Sequence, residues 1–239
     1  MSKRRWLLVG ALIALASAGV IFFATRLLSA HQEYRHGAEV YGSTAEEAVE
    51  LPTKANLPAV DFHSLRQVNE QVVGWLWCPD TASNYPVVQG QDNDFYLSRL
   101  IDGSDGECGT LFLDCNAQGT DRNQVIYGHH MKDGSMFASL LHYQEQDYYD
   151  KHPVLYYITP DQSYEVRLFA GFTTPAVSAA YNRRFDRCDF GDWLKEMQSQ
   201  SDFQSEVIPA TGDQVLTLST CAYSFENARY VVMGTLKPV

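Results

Sequence analysis

A mainly β domain, a barrel or a sandwich, is what this sequence predicts, on three observations. Eight short runs rich in Val, Ile, Tyr, Phe and Thr follow one another between residues 72 and 236, most of them bounded by Gly, Pro, Asn or Asp. Helical periodicity is confined to a few stretches between those runs. The 239 residues suffice for one domain of ordinary size with a self-sufficient core, whereas two full domains would be a squeeze.

The chain opens outside that domain. Trp6 to Thr25 ("WLLVGALIALASAGVIFFAT") carries no charge and matches the ~20 residues that a helix needs to cross hydrocarbon. A signal peptide is the competing reading, because "KRR" precedes the run and "ASA" at Ala16 to Ala18 mimics a cleavage site. The apolar run continues through "GVIFFAT", so the expectation is an uncleaved transmembrane anchor over residues 6–28. Lys3, Arg4 and Arg5 would then hold residues 1–5 in the cytoplasm. The expected location is the cell membrane, single-pass, with the membrane as a partner and the remaining chain outside. Residues 29–60 are polar and end in prolines; they read as an extracellular stalk, helical around "TAEEAVEL" at best. Residues 61–239 form the expected globular domain.

Within it the expected strands are "VVGWLWC" at Val72, "YPVVQ" at Tyr85, "GTLFLD" at Gly109, "NQVIYGH" at Asn123, "VLYYIT" at Val154, "YEVRLFAGFT" at Tyr164, "QVLTLSTC" at Gln214 and "RYVVMGTL" at Arg229. Helices are expected over "FHSLRQVNEQV", "DNDFYLSRL" at Asp92, "SMFASLLHYQ" at Ser135, and the longer stretch from Cys188. The last carries Phe190, Trp193, Leu194, Met197 and Phe203, an apolar stripe at helical spacing that reads as core contact. The aromatic-rich "HYQEQDYYDKH" reads as helix and core rather than as a carbohydrate platform.

Charge excludes one class of partner. The net charge is -11, and it becomes more negative once the basic start of the chain is set aside, so bulk electrostatics would repel nucleic acid. Five cysteines (Cys78, Cys108, Cys115, Cys188, Cys221) are odd in number and show no CxxC spacing, which leaves a pairing of Cys108 with Cys115 open. His129 and His130 are adjacent rather than spaced as zinc ligands. Neither a metal nor a cofactor is expected.

The chemistry gathers around the last cysteine. A period of two puts Val215, Thr217, Ser219 and Cys221 on one face of their strand, and Leu216, Leu218 and Thr220 on the other. The leucine face suits a core, so the hydroxyl-lined face is expected to carry the thiol into an open groove. A thiol at a strand end needs a neighbouring cation or an imidazole to act as a nucleophile. Arg229 opens the next run, which would return antiparallel toward the sulfur. The run "VIYGHHM" offers imidazoles where another strand gives out. Each feature alone also fits an inert core cysteine, a solvated histidine and an edge charge.

"LSTC" followed by Arg229 in "ARYVVMG", with "YGHHM", "GSMF" and "YPVVQGQDNDFYL" upstream, resembles the sortases, specifically the class B sortases, membrane-anchored cysteine transpeptidases of Gram-positive bacteria. The likeness runs from about Asp61 to Leu236. It implies a closed eight-stranded β-barrel with an N-terminal helix and a longer helix before the last two strands. It implies Cys221 as nucleophile, His129, which directly follows Gly128, as general acid and base, and Arg229 as the cation that steadies the substrate oxyanion. Ser219 and Tyr127, and with less support Asn93, Leu97, Thr174 and Tyr181, would line the substrate groove. The implied substrate is a secreted protein with a C-terminal sorting signal of Asn-Pro-x-Thr or Ser-Pro-x-Thr type, and the implied acceptor is an amine of a peptidoglycan precursor. Two other readings stay open: a cysteine hydrolase or pilin-joining enzyme on the same site, and a surface domain that binds a peptide or wall component without catalysis.

Overall fold

The computed structural model describes residues 3–50, 57–186 and 189–239, with residues 3–11 and 14 described in their backbone only. The side chains of Lys3, Arg4 and Arg5, the stalk residues 51–56 and Cys188 lie outside the described residues.

A single helix, α1 (Lys3–Ala48), leads into a two-residue ladder between β1 (Val49–Glu50) and β2 (Ala59–Val60). Among the described residues no helix is long and apolar enough to cross a membrane. The anchor expected over residues 6–28 is corrected accordingly, and with it the single-pass location and the membrane as partner. Nor is the segment after it a loose stalk. The helix continues to Ala48 and docks: Tyr41 is buried, and its hydroxyl donates to the carbonyl of Gly109 and lies 2.9 Å from Thr110 Oγ1.

Asp61 caps α2 (Phe62–Val68), its carboxylate accepting from the amides of His63 and Ser64. The eight expected strands follow: β3 (Val72–Trp77), β4 (Asn84–Val88), β5 (Leu111–Leu113), β6 (Asn123–Tyr127), β7 (Val154–Ile158), β8 (Ser163–Pro175), β9 (Gln214–Cys221) and β10 (Ala228–Pro238). They close into one barrel in the order β10-β8-β7-β3-β4-β5-β6-β9. The pairs β4/β5 and β6/β9 are parallel and the others antiparallel. Two of the expected helices are single-turn or 3-10 segments, at Phe95–Leu97 and Ala138–Gln144, the latter continued by α3 (Gln146–Lys151). In that region Tyr143 and Tyr149 are buried, as core rather than as a sugar platform.

The barrel interior holds Leu76, Val87, Leu111, Ile126, Leu216, Leu218 and Val232. A second core lies on the outer wall. There α4 (Asp189–Ser199) presents Phe190, Trp193, Leu194 and Met197 to Phe169, Phe172, Val215, Val231 and Met233. Each such side chain contributes about 1.5–3 kcal/mol on burial. This cover corrects one expectation: the hydroxyl face of β9 is not open along its length, because Val215, Thr217 and Ser219 are all buried. Only the strand end is left partly exposed, at Cys221.

Candidate active site

Strand pairing and one short loop bring the three candidate side chains to one groove. In the antiparallel β9/β10 pair, Cys221 stands opposite Arg229. In the parallel β6/β9 pair the register runs up to Tyr127 opposite Ser219, and His129 follows two residues beyond the end of β6. Paired residues point to the same side of a sheet, so thiol and guanidinium share the outer face of β9 and β10, and the loop after β6 brings the imidazole to the same groove. All three line a groove of about 300 Å³, together with Asn93, Leu97, Tyr127, Tyr181 and Ser219.

The groove is held from several sides. Gly128 sits where a Cβ would collide with Leu111 and Phe137, so only glycine lets the end of β6 lie flat and deliver His129. Beyond it the chain turns back, with Phe137 N donating to His129 O at 2.9 Å. The His129 ring places Nε2 2.7 Å from the carbonyl of Leu97. A carbonyl only accepts, so Nε2 carries the proton of this contact. The Leu97 carbonyl is positioned in turn by Gly109, whose φ of +57° and contact with the Tyr96 and Leu97 backbone exclude a side chain. Arg229 donates from Nη1 to the carbonyl of Ala228 at 3.0 Å, which fixes its base and leaves further N–H groups for a ligand.

Tyr181 rests on a short 3-10 turn, Ala179–Tyr181, that Asn123 grips through the carbonyls of Ala180 and Asn182. Its hydroxyl lies 2.9 Å from that of Ser219. Tyr127 donates to Asp114 Oδ2 at 3.3 Å, and Asn93 donates to the same oxygen at 3.1 Å. Burial raises both tyrosine pKa values above the ordinary phenol value, with the Asp114 charge adding to the effect at Tyr127. Both phenols therefore stay neutral donors at physiological pH. Thr174 differs from expectation: it pairs with Arg229 across β8/β10 but is buried and does not line the groove, whereas Ala176 does.

Sequence reasoning missed Asp114, the Leu97 carbonyl, Phe112 and Thr220. Thr220, assigned to the core face, donates instead to Gly128 O at 2.8 Å. Main-chain acceptors carry no residue-type signal, but "LFLD" did place an acidic residue directly at a strand end. The cysteines Cys78, Cys108, Cys115 and Cys221 are free, so the pairing left open between Cys108 and Cys115 does not form. Among the described residues no three His, Cys, Asp or Glu side chains come together as a metal site.

The family model described as a Sortase domain matches residues 76–237. The chain belongs to the sortase family. Sortase B of Listeria monocytogenes is 36% identical over 181 residues, 74% of each chain. Among solved structures, sortase B of B. anthracis superposes with a TM-score of 0.77 at 31% identity, over 87% of this chain and all of that one. A Staphylococcus aureus sortase B–substrate complex gives 0.71 at 27% identity, over 87% of this chain and 93% of that one. The chain is thus a class B sortase, a cysteine transpeptidase, and the barrel with its N-terminal helix is the sortase fold.

Proposed function

We propose that this sortase cleaves a C-terminal sorting signal of Asn-Pro-x-Thr or Ser-Pro-x-Thr type after the threonine, and transfers the upstream protein to an amine of a cell-wall precursor. The catalytic unit is residues 61–239. The observation that carries the reading is the convergence of His129, just past β6, with Cys221 and Arg229 on β9 and β10 in one groove of about 300 Å³.

In this reading the Cys221 thiolate attacks the threonine carbonyl carbon, and the oxygen becomes an oxyanion. Free N–H groups of Arg229 donate to it; such a donor contributes about 3–4 kcal/mol to the transition state. The C–N bond then breaks, His129 gives its Nδ1 proton to the departing amine, and a thioester remains. The Leu97 carbonyl on Nε2 stabilises the imidazolium and keeps the ring turned. An incoming amine attacks the thioester, Nδ1 takes back a proton, the new amide forms and the thiolate leaves. Tyr127, Ser219, Asn93 and Tyr181 form the groove that orients the signal, and Leu97 forms its rim. The side chain of Thr174 is given no contact role, because it is buried and does not line the groove.

The test supplies the enzyme with a peptide containing Asn-Pro-Ala-Thr-Gly and with triglycine. The ligated product is expected. Cleavage without ligation would make the enzyme a hydrolase, and no reaction with any signal peptide would favour a binding role.

A further inference from the structure

His130 has no part in the proposed reaction, yet it touches the nucleophile's own residue. Its Nδ1 lies 3.3 Å from the main-chain oxygen of Cys221. Since a carbonyl can only accept, that nitrogen carries a proton.

The place of this contact in the sheet gives it meaning. The parallel β6/β9 ladder ends at Tyr127 and Ser219. Two further ties extend it: Gly128 N donates to Ser219 O at 3.1 Å, and Thr220 Oγ1 donates to Gly128 O at 2.8 Å. The two chains then part. One turns into a small hairpin in which His130 pairs with Met136. The other turns toward β10, with Ala222 N on Ala228 O at 3.0 Å. The His130 side chain supplies the next tie between them, at the residue that bears the thiol. On its other side the ring packs against that of Tyr223, centroids 5.6 Å apart.

We infer that His130 is a positioning residue for the nucleophile: its Nδ1–H, held on the Cys221 carbonyl, sets the spacing of the thiol from His129. The inference rests on the transpeptidase reading for its consequence, though not for its geometry. Without the tie, the end of β9 is free to move relative to the loop that carries His129. A misplacement of about 1 Å in such a pair can cost ~100-fold in rate.

Side-chain shape makes the test specific. The asparagine amide nitrogen falls close to the position of histidine Nδ1, whereas that of glutamine reaches the position of Nε2. Full-length wild type, His130→Leu, His130→Asn and His130→Gln are compared for kcat and KM on the Asn-Pro-Ala-Thr-Gly peptide, and for thermal midpoint. His130→Leu should lose about ten- to a hundredfold in kcat, with KM and midpoint little changed. His130→Asn should restore most of that loss, and His130→Gln should not. A leucine variant as fast as wild type, or glutamine restoring as well as asparagine, would overturn the inference. If the leucine variant does not fold, the comparison of asparagine with glutamine decides alone. Nitrogen-15 NMR of the wild-type histidine rings reads the same contact without any substrate: a proton on Nδ1 of His130 is expected, and a ring protonated on Nε2 alone would overturn the inference. A wild-type enzyme inert to the peptide but protonated at Nδ1 would instead count against the proposed sorting signal.

Discussion

The two halves of β9 lie on the same face of one barrel and meet opposite fates. Near its start, Val215 is sealed beneath Trp193, Leu194 and Met197 of α4, and Thr217 Oγ1 gives its hydrogen bond to Asn123 at 2.7 Å. At its end, Ser219 and Cys221 line a groove that α4 does not reach. Alternation along the strand is the same in both halves; what differs is the cover. A strand can thus be anchored by one half and open at the other, and the buried half keeps the register that sets Cys221 opposite Arg229 and Ser219 opposite Tyr127.

That contrast can be broken from either side. The largest effect is expected at the open end: Cys221→Ala should abolish both peptide cleavage and adduct formation while the thermal midpoint stays where it was, as calorimetry and a cleavage assay would read together. Arg229→Ala comes next, with kcat reduced by about 100- to 1000-fold because an oxyanion donor is lost; single-turnover kinetics would locate the loss in acylation.

On the covered half the expected loss is of stability. Trp193 is nearly buried and donates to Ala179 O at 2.8 Å, so Trp193→Ala should cost about 3–5 kcal/mol, read by urea unfolding. Molecules still folded should keep the acylation rate, unless α4 also holds the open end. Between the halves, Tyr181→Phe removes one hydrogen bond to Ser219 and should cost about 0.5–1.5 kcal/mol, seen as a few-fold rise in KM.

The smallest change separates thiols by reactivity. Burial pushes Cys108 up to about 11 and also raises Cys78. At pH 7.5 a methanethiosulfonate reagent should therefore modify the partly exposed Cys221 and Cys115 well before Cys78 and Cys108. Equal rates at all four would mean that the barrel opens as a whole.

The barrel was legible because its strands are runs of β-branched and aromatic residues cut by turn residues, and α4 because its stripe keeps helical spacing. The N-terminal region was not. The polar composition that suggested a stalk conceals a docking face, in which Tyr41 and Gly37 meet Gly109 and Cys108, and the apolar run that suggested an anchor gives no membrane-spanning helix among the described residues. The site was half legible. Residue types marked Cys221, Arg229 and the histidine pair, but the groove that joins them depends on strand register between segments nearly a hundred residues apart. Family likeness supplied the choice of His129 over His130. Two holding groups, the carbonyls of Leu97 and Cys221, are main-chain atoms with no signature in composition.

The most direct test of the central claim is intact-protein mass spectrometry after incubation with a sorting-signal peptide in the absence of an acceptor amine. The account predicts one adduct, equal in mass to the peptide through its threonine less one water, mapping to Cys221 and released by triglycine. Cleavage with no adduct at Cys221, or an adduct that persists in Cys221→Ala, would contradict it.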